Sequence, residues 1–410
     1  MNRNKRVSRG FRTLLFSLVC AFVCSTAGLA VYAEPASAVS SDPSSSLSGN
    51  TNPAATLSAE QRGQLDELLA HFKVDQPGGY VCVVRDGDII YGKGFGLSDL
   101  ETKAPFSENS KFELASCSKQ FTAVAILILA EQGKLSLDDN ARKYLPELPE
   151  TNPPIKIRHL LAMSSGFTDY ENVLSEKELS SFTNADLLAW TAKQKIKFPA
   201  GARFDYNNGN YVFLAMLVER VSGIPFRDFL TKNIFEPAGM TDTCLMDKAG
   251  MQIANRVGGY KKASKKGWVF SRLDTAIYGD GQVITTPRDL AKWDKALNDG
   301  VLLKGETLQQ AFVNQKLNNG SHSDYGFGFG MSAKQPGVVQ HSGDWNGTST
   351  YIARYLGKGS VQVLSNEEGF DAKRLGDKVG QIVFRNADTG RGSERGAIPS
   401  LIRWVGIVLF

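Results

Sequence analysis

Apolar residues recur along the chain with two different periods, and the change of period separates its segments. A helical period follows Ser58, a good helix-capping residue, with apolar side chains on one face at Leu65, Leu68, Leu69 and Phe72. The next stretch, GYVCVVRDGDIIYGKGFG, holds two β-rich runs joined by an Asp-Gly pair, which tolerates the positive φ angles of a tight turn. This part of the chain therefore predicts a helix followed by an antiparallel hairpin.

Between about residues 117 and 235 the spacing of apolar residues becomes helical. Three predicted helices have clear ends: one from Phe121 to a stop at Gly133, one capped by Thr183 or Asn184, and one from Tyr211 to Val221 before Gly223. A further helix starts at Thr286-Pro287, where a cap residue precedes a proline at the first helical position. The middle of the chain is therefore predicted to be mostly helical.

Strand patterns return near the C-terminal end. YGFGFGMSA, VVQHSGDWNGTSTYIARYL and SVQVLSN each predict β-structure, and DAKRLGDKVGQIVF predicts a closing helix. Strands at both ends and helices between them favour an α/β (α+β) fold, with one antiparallel sheet built from both ends of the chain and flanked by helices. The predicted α/β part covers about 57–115 and 280–390, and the inserted, mostly helical part covers about 116–279.

The first residues have the pattern of an export signal. A basic start is followed by an apolar run and by small residues that suit cleavage, so residues 1–33 are interpreted as a signal peptide. The alternative is an uncleaved anchor, because the apolar run approaches the length of a membrane span. Residues 34–56 are rich in Ser, Pro and Ala and predict a disordered linker. We therefore expect an exported protein, periplasmic or extracellular, that touches a membrane only through an uncleaved signal segment.

The last residues, 391–410, form an apolar tail. The tail is interrupted by Pro399 and Arg403 and is too short to span a bilayer. Its role is not predicted, and neither is the oligomeric state of the protein.

Charge and cysteine content exclude several classes of protein. The formal net charge of +5, from 47 basic and 42 acidic residues, arises entirely from the basic residues before Glu34. A balanced remainder gives no basic footprint for nucleic acid, so no nucleic-acid partner is expected. Cys82, Cys117 and Cys244 allow at most one disulfide, and the chain has no metal-ligand spacing such as C-x-x-C or H-E-x-x-H. No metal site is therefore expected.

Ser116 and Lys119 stand three residues apart at the start of an apolar helix, in the sequence SCSK. Residues i and i+3 share a helix face, so the amine can reach the hydroxyl. In a desolvated site near another cation the lysine would be uncharged, and it could then take the proton of a serine nucleophile. The alternative is a chance S-x-x-K whose lysine extends to solvent. Cys117, between the two, is interpreted as a buried structural thiol rather than a reactive one.

Two other motifs carry further candidate chemistry. Tyr206 and Asn208 lie in a Gly- and Asn-rich turn before a helix, where the phenol could relay a proton and the amide could hold a substrate carbonyl or the lysine. His341, Gly343 and Asp344 lie on a predicted strand. The glycine would let a ligand approach, and the N–H of Asp344 would stabilise an oxyanion. Alone, each motif is better explained as structural: the first as a turn filled by an aromatic ring, the second as a bulged edge strand with an exposed histidine.

Taken together, these motifs resemble the serine hydrolases related to class C β-lactamases and low-molecular-weight penicillin-binding proteins. The resemblance runs from about Leu57 to Phe384 and includes IRHLLAMSSGFTDY, FPAGARFDYNNGNY and GDGQVITTPRDLAKW. It implies an α/β domain, an all-α domain and a site between them. It also implies an acyl-enzyme on Ser116, proton transfer by Lys119 and Tyr206, and an oxyanion held by the amides of Ser116 and Asp344. Such a mechanism needs neither a metal nor an organic cofactor.

The sequence departs from the β-lactamases at His341. Those enzymes have a lysine there, a permanent cation for the substrate carboxylate, whereas histidine is mostly neutral near pH 7. An ester, an amide or a D-amino-acid peptide is therefore the expected substrate rather than a β-lactam. The alternative is a penicillin- or muropeptide-binding sensor with little turnover. An α/β-hydrolase and a dinucleotide enzyme are not supported, because G-x-S-x-G and G-x-G-x-x-G are absent from the sequence.

Overall fold

The computed structural model describes residues 56–384 of the chain. The helices are α1 (Ala59–Ala70), α2 (Lys119–Glu131), α3 (Ile157–Leu161), α4 (Glu176–Leu179), α5 (Asn184–Thr191), α6 (Asn208–Ser222), α7 (Phe226–Leu230), α8 (Pro287–Asn298), α9 (Gly305–Ala311) and α10 (Ala372–Phe384). The strands are β1 (Gly79–Arg85), β2 (Asp88–Phe95), β3 (Leu97–Asp99), β4 (Ala104–Pro105), β5 (Phe112–Glu113), β6 (Cys244–Leu245), β7 (Tyr260–Ala263), β8 (Gly267–Phe270), β9 (Val283–Thr285), β10 (Gly330–Met331), β11 (Val338–Trp345), β12 (Thr348–Tyr355) and β13 (Gly359–Ser365). The predicted signal, the linker and the tail after residue 390 lie outside the described residues.

The main sheet is antiparallel and joins the two ends of the chain, as predicted. Its strand order is β10-β11-β12-β13-β1-β2. The link between the two halves is the β1–β13 pair, in which Gly79 lies opposite Ser365. The predicted Asp-Gly turn connects β1 and β2, and Asp86 and Gly87 have φ angles of 52° and 86°. The predicted fold class is therefore confirmed.

Both faces of the sheet are covered, which explains why β1 is buried along almost its full length. Side chains alternate between faces along a strand. Tyr80, Cys82 and Val84 accordingly join the core shared with the helical part, and Val81 and Val83 join a second core under α1 and α10. The first of these faces supports the candidate site.

Helix α2 is the central element of the larger core. Its residues from Lys119 to Leu129 are almost all inaccessible to solvent, as expected for a helix that is packed on every side. It packs against α6, α7 and α9. The N-terminus of α2 is therefore fixed in the interior, and Lys119 is its first residue.

Most predicted helix ends are confirmed. Ser58 caps α1 with a complete capping box, and the side chain of Thr183 accepts a hydrogen bond at the start of α5. Thr286 caps α8, and Gly223 ends α6 in a left-handed conformation with φ of 75°. Local capping chemistry decides these positions, which is why the sequence reveals them.

One prediction about β-structure was wrong in part. YGFGFGMSA forms a strand only at β10, because Phe327 and Phe329 are buried as core residues of an irregular loop. Gly328, with φ of 79°, turns that loop tightly over the carbonyl of Lys119. The predicted helical part also contains a hairpin, β7 and β8, although most of its elements are helices.

Candidate active site

Ser116 lies in a short 3₁₀ turn, Ala115–Ser118, directly before α2. It is partly exposed, whereas its neighbours Ala115 and Cys117 are buried. Ala115 has a φ of 47°, which is a strained conformation for a residue with a side chain. The turn therefore presents the hydroxyl of Ser116 at the mouth of a cleft.

Lys119 is completely buried, and its amine contacts the serine. Its Nζ lies 2.9 Å from Ser116 Oγ, 2.7 Å from Asn208 Oδ1 and 2.8 Å from the backbone oxygen of Asp280. The last two atoms can only accept, so they take two N–H groups of the lysine. A neutral amine would then direct its lone pair at Ser116, and an ammonium would donate its third N–H there. The predicted reach from Lys119 to Ser116 is confirmed.

The prediction that a neighbouring cation keeps Lys119 uncharged was wrong. Burial alone lowers the pKa of Lys119, but the negative charges of Tyr206 as phenolate, Asp280 and Glu171 oppose burial and raise the pKa above its ordinary value. The groups that shift this pKa among the described residues are acids, not cations. Lys119 is therefore an ammonium in the resting protein at neutral pH, and a proton has to leave before it acts as a base.

Tyr206 stands beside both residues. The Lys119 Nζ lies 5.1 Å from the centre of its ring. Within residues 56–384 the buried phenol oxygen makes no hydrogen bond of ordinary geometry, yet Lys119 and Ser116 lie near enough to oppose the rise that burial causes in its pKa. Its hydroxyl is thus placed close to the nucleophile and to the lysine, without a competing structural partner. Its role in proton transfer stays a prediction.

Asn208, the first residue of α6, holds the lysine. Its amide oxygen accepts from Lys119, and its Nδ2 and backbone N donate to Asp169 at 3.3 and 3.2 Å. Asp169 therefore orients the amide with its oxygen toward the amine. Burial raises the pKa of Asp169 to about 6, although Lys119 counteracts it. Asn208 also lines the cleft, and its predicted contact with substrate stays a prediction.

Strand β11 forms the opposite wall. Strand β10 pairs only with Val339 and Gln340 of β11, which leaves the 341–345 edge next to the serine turn. The thiol of Cys117 donates to the His341 carbonyl at 3.2 Å, and the Thr350 hydroxyl donates to the Leu114 carbonyl at 2.8 Å. These bonds attach the serine turn to the sheet.

Gly343 permits this close approach. A Cβ at Gly343 would lie 2.3 Å from the Leu114 oxygen and 3.0 Å from the backbone N of Ser116. The glycine therefore makes room for the serine turn, and its predicted contact with a ligand stays a prediction. The N–H groups of Ser116 and Asp344 stay the predicted oxyanion donors. The Asp344 side chain is exposed and accepts from Ser349 at 2.7 Å.

His341 is buried, and both of its ring nitrogens have partners. Nδ1 lies 2.6 Å from the Ser342 carbonyl, and Nε2 lies 2.9 Å from the Tyr325 hydroxyl. Since a carbonyl only accepts, Nδ1 carries the proton and Nε2 accepts from Tyr325. Burial, helped by the charge of Lys119, lowers the pKa of His341 to about 4. The ring is neutral at physiological pH and offers no cation, and its predicted contact with substrate stays a prediction.

Cys117 is a buried structural thiol, as predicted. It is inaccessible to solvent, and burial raises its pKa to about 12, so it stays protonated. Cys82 and Cys244 are also free thiols. In residues 56–384 no cluster of three or more His, Cys, Asp or Glu side chains could hold a metal ion.

Several residues of this site were missed by the sequence interpretation. Asp280 binds the lysine through its carbonyl, Asp169 orients Asn208, and Tyr170 donates to the Asp280 carboxylate at 2.6 Å. These residues lie in the stretches GFTDY and GDGQV, which the sequence analysis used only as evidence for the family resemblance. The available signal was the presence of polar residues such as Asp169 and Asp280 inside these stretches, which could have marked them as part of the site.

A partly exposed serine beside a buried lysine, between a helical part and the edge of an antiparallel sheet, defines a serine hydrolase of the β-lactamase and transpeptidase-like fold. The family model described as Beta-lactamase matches residues 65–383. The chain belongs to this family.

Known relatives agree with this assignment. A penicillin-binding protein of Bacillus subtilis (strain 168) is 34% identical over 314 residues, which cover 71% of this chain and 68% of that protein. The octameric penicillin-binding protein homologue from Pyrococcus abyssi superimposes with a TM-score of 0.69 at 27% identity, over 79% of this chain and 76% of its own. The D-amino acid amidase from Ochrobactrum anthropi SV3 shares the fold, with a TM-score of 0.68 at 22% identity over 79% of this chain and 97% of its own.

Proposed function

We propose that this chain is an exported serine hydrolase that forms an acyl-enzyme on Ser116 and cleaves an ester, an amide or a D-amino-acid peptide bond. The observation that carries the proposal is the 2.9 Å contact between Ser116 Oγ and Lys119 Nζ, beside a cavity that both Ser116 and Asn208 line. A nucleophile in contact with a group that can take its proton is the arrangement that covalent catalysis requires.

The proposed reaction has two steps. In the first, Ser116 Oγ bonds to the substrate carbonyl carbon, and its proton passes through Lys119 and Tyr206 to the leaving oxygen or nitrogen as that bond breaks. The Ser116 and Asp344 amides hold the oxyanion. In the second, water attacks the acyl carbon and gives its proton to the same pair. The bond between the acyl carbon and Ser116 Oγ then breaks, the pair returns the proton to Oγ, and the acid is released. The pair needs to lose one proton to start, as an amine with a phenol or as an ammonium with a phenolate.

An ester, an amide or a peptide is a better proposed substrate than a β-lactam because His341 is neutral. The carboxylate of a β-lactam requires a cation at this wall, and a ring with both nitrogens hydrogen-bonded inside the protein supplies none. The N-terminal sequence supports export as part of the proposal. None of the helices in the described part of the chain is long and apolar enough to cross a membrane.

A fluorophosphonate probe tests the proposed nucleophile. The wild-type protein should be labelled and Ser116→Ala should not be. Turnover of p-nitrophenyl esters and D-alanyl peptides should then exceed turnover of a chromogenic cephalosporin. Absence of labelling on folded wild-type protein would refute the hydrolase proposal. Labelling without turnover of any substrate would favour the alternative, a penicillin- or muropeptide-binding protein.

A further inference from the structure

A small cavity opens beside Ser116, and apart from Ser116 and Asp344 the residues that line it have no role in the reaction steps above. Its volume is about 30 Å³, which is room for roughly two water-sized groups. Because Ser116 is part of its wall, a group bound there lies within a few bonds of the carbonyl carbon that the serine attacks. The cavity therefore faces the acyl group or the leaving group of the substrate at short range.

The ionisable side chains of the cavity wall are predominantly acidic. Four carboxylates line it, Glu113, Glu171, Asp280 and Asp344, and none of its lining residues is Lys, Arg or His. Arg256 neutralises Glu113 through a 2.6 Å ion pair. Glu171 and Asp280, in contrast, form no ion pair within residues 56–384. Both carboxylates contact the Tyr170 hydroxyl, whose oxygen lies 3.3 Å from Glu171 Oε1 and 2.6 Å from Asp280 Oδ2.

The nearby lysine does not balance this charge. The Lys119 ammonium faces Asp169, Glu171 and Asp280, and all three interact electrostatically with it or with one another. Its N–H groups are taken by Ser116, Asn208 and the Asp280 carbonyl. Burial, together with the charge of Asp280, raises the pKa of Glu171 to about 7, so this carboxyl is only partly ionised at neutral pH, and a cation bound beside it would complete its ionisation. The acids outnumber the one cation, so the cavity favours a positively charged group.

Two buried acceptor oxygens in the same wall lack hydrogen-bond partners within residues 56–384, and this independently indicates a site for a ligand that donates hydrogen bonds. Glu113 and Gln282 are 6% and 5% exposed, and both line the cavity. One side-chain oxygen of each, Oε1, has no hydrogen-bond partner among the described residues. Gln282 also holds a φ of 75°, a conformation that glycine adopts more easily. Buried acceptors without donors are uncommon in native proteins, and here they leave a place for a ligand that donates hydrogen bonds.

We propose that this cavity is a subsite for a primary ammonium group on the substrate, held by Glu171, Asp280 and Gln282. The inference rests on the proposed function and narrows its substrate class to aminoacyl esters and amides whose free ammonium lies on the carbon next to the scissile carbonyl. The small volume restricts the acyl group to a short one, such as alanyl. Ser116 Oγ bonds to the alanyl carbonyl carbon, and the bond to the leaving group breaks as that group takes the serine proton and departs as an alcohol or amine. Water then cleaves the bond between the alanyl carbon and Oγ, a proton returns to Oγ, and free alanine is released.

Two matched substrates test the subsite on the full chain. Alanine p-nitroanilide, in D and L forms, carries the ammonium, and isobutyric p-nitroanilide has a methyl group in its place at nearly the same volume. The ratio of kcat/KM for the better alanine form over isobutyric p-nitroanilide should be at least about tenfold. N-acetylalanine p-nitroanilide, which lacks the charge and is larger, should be cleaved poorly. A ratio of one or less would overturn the subsite.

A pair of variants tests whether the preference for the alanyl substrate arises from the cavity. Glu171→Gln replaces a carboxyl that a bound ammonium group would keep ionised with a neutral amide, and it should lower the alanyl-to-isobutyryl ratio about tenfold. Glu150→Gln makes the same change at an exposed glutamate that is not part of the wall and should leave the ratio as in the wild type. An equal ratio in the two variants would contradict the assignment.

Labelling of Ser116 separates failure of the subsite from failure of the proposed function. Ethylammonium chloride should slow fluorophosphonate labelling of the wild type, and sodium chloride at equal ionic strength should not. If labelling and p-nitrophenyl acetate hydrolysis persist but neither ethylammonium nor the alanyl group has an effect, only the subsite is refuted. If the serine is not labelled at all, the proposed function fails first.

Discussion

At the scale of single residues, the charge of Lys119 decides when the serine reacts. The lysine has three hydrogen-bond partners, and the neighbouring acids raise its pKa against the effect of burial. Its three hydrogen bonds suit an ammonium as well as an amine. The geometry of the contact with Ser116 is therefore maintained in both states. The reaction rate then depends on how many protons the Lys119–Tyr206 pair holds.

This gives a prediction for the pH profile. The reactive form needs one proton fewer than the resting form, and the pKa of Lys119 and that of Tyr206 are both raised. Activity should therefore rise with pH through neutrality, with kcat/KM for p-nitrophenyl acetate increasing about tenfold per unit between pH 7 and 9. Subtraction of the rate with Ser116→Ala corrects for background hydrolysis. A plateau already reached below pH 7 would show that another group is the base.

A second residue-scale prediction concerns His341 and stability. Its pKa is about 4 in the folded protein, against about 6.5 for a free histidine. The unfolded chain therefore binds the proton first, and stability contributed by the neutral ring is present above pH 6.5 and is lost as pH falls toward 4. Between pH 7 and 5 the loss is about 2 kcal/mol.

Comparison with His341→Gln isolates this contribution. Urea unfolding at pH 7 and pH 5 should show a smaller pH-dependent loss in the variant than in the wild type. His159, whose pKa burial also lowers to about 4, and Asp169, whose pKa is raised, remain in both proteins and cancel in the difference. An identical loss in the two proteins would show that His341 is not buried as a neutral ring.

At the scale of elements, the site depends on how closely the serine turn approaches β11. Gly343→Ala places a Cβ 2.3 Å from a backbone oxygen of the serine turn, and backbone cannot move aside without moving Ser116. We expect a loss of about 1–3 kcal/mol together with a fall in kcat, measured by urea unfolding and ester hydrolysis.

Gly305→Ala is the matched control for this prediction. Gly305 begins α9 and has no atom within 4 Å of the position of a Cβ. Alanine there should be neutral or stabilise the protein by up to about 1 kcal/mol. If both variants behaved alike, close packing of β11 on the serine turn would not be the reason for the glycine.

The elements also show how far the sequence predicts this structure. Helix caps at Ser58, Thr183 and Thr286 depend on neighbouring residues, so they are visible in the sequence and were found. The 325–331 loop was misjudged because its phenylalanines alternate with glycines as in a strand. Gly328 instead turns the chain with a positive φ, and Gly326 lies where a Cβ would clash with the backbone of Ala311. Glu171 and Gln282 meet at one cavity only through the tertiary fold, and no local pattern indicates such a meeting.

At the scale of the whole molecule, the two ends of the described chain pack on the face of the sheet opposite the candidate site. Helix α1 buries Leu65 and Leu69 in the core under the sheet, and Phe72 stacks on Phe95 at 4.3 Å. The side chain of Gln61 also donates to the carbonyls of Ile382 and Val383 at the end of α10. The sheet whose other face carries the site is therefore completed by the first helix.

Two N-terminal deletions should consequently behave differently. A chain that starts at residue 57 keeps α1 and loses only the predicted signal and linker, so its urea midpoint and ester hydrolysis should match those of the full chain. A chain that starts at residue 73 loses two buried leucines and a stacked phenylalanine, each contributing about 1.5–3 kcal/mol. The total is comparable to the whole stability of many domains. The second chain should therefore be largely unfolded and inactive, and full activity in it would show that the face under α1 does not hold the catalytic sheet in place.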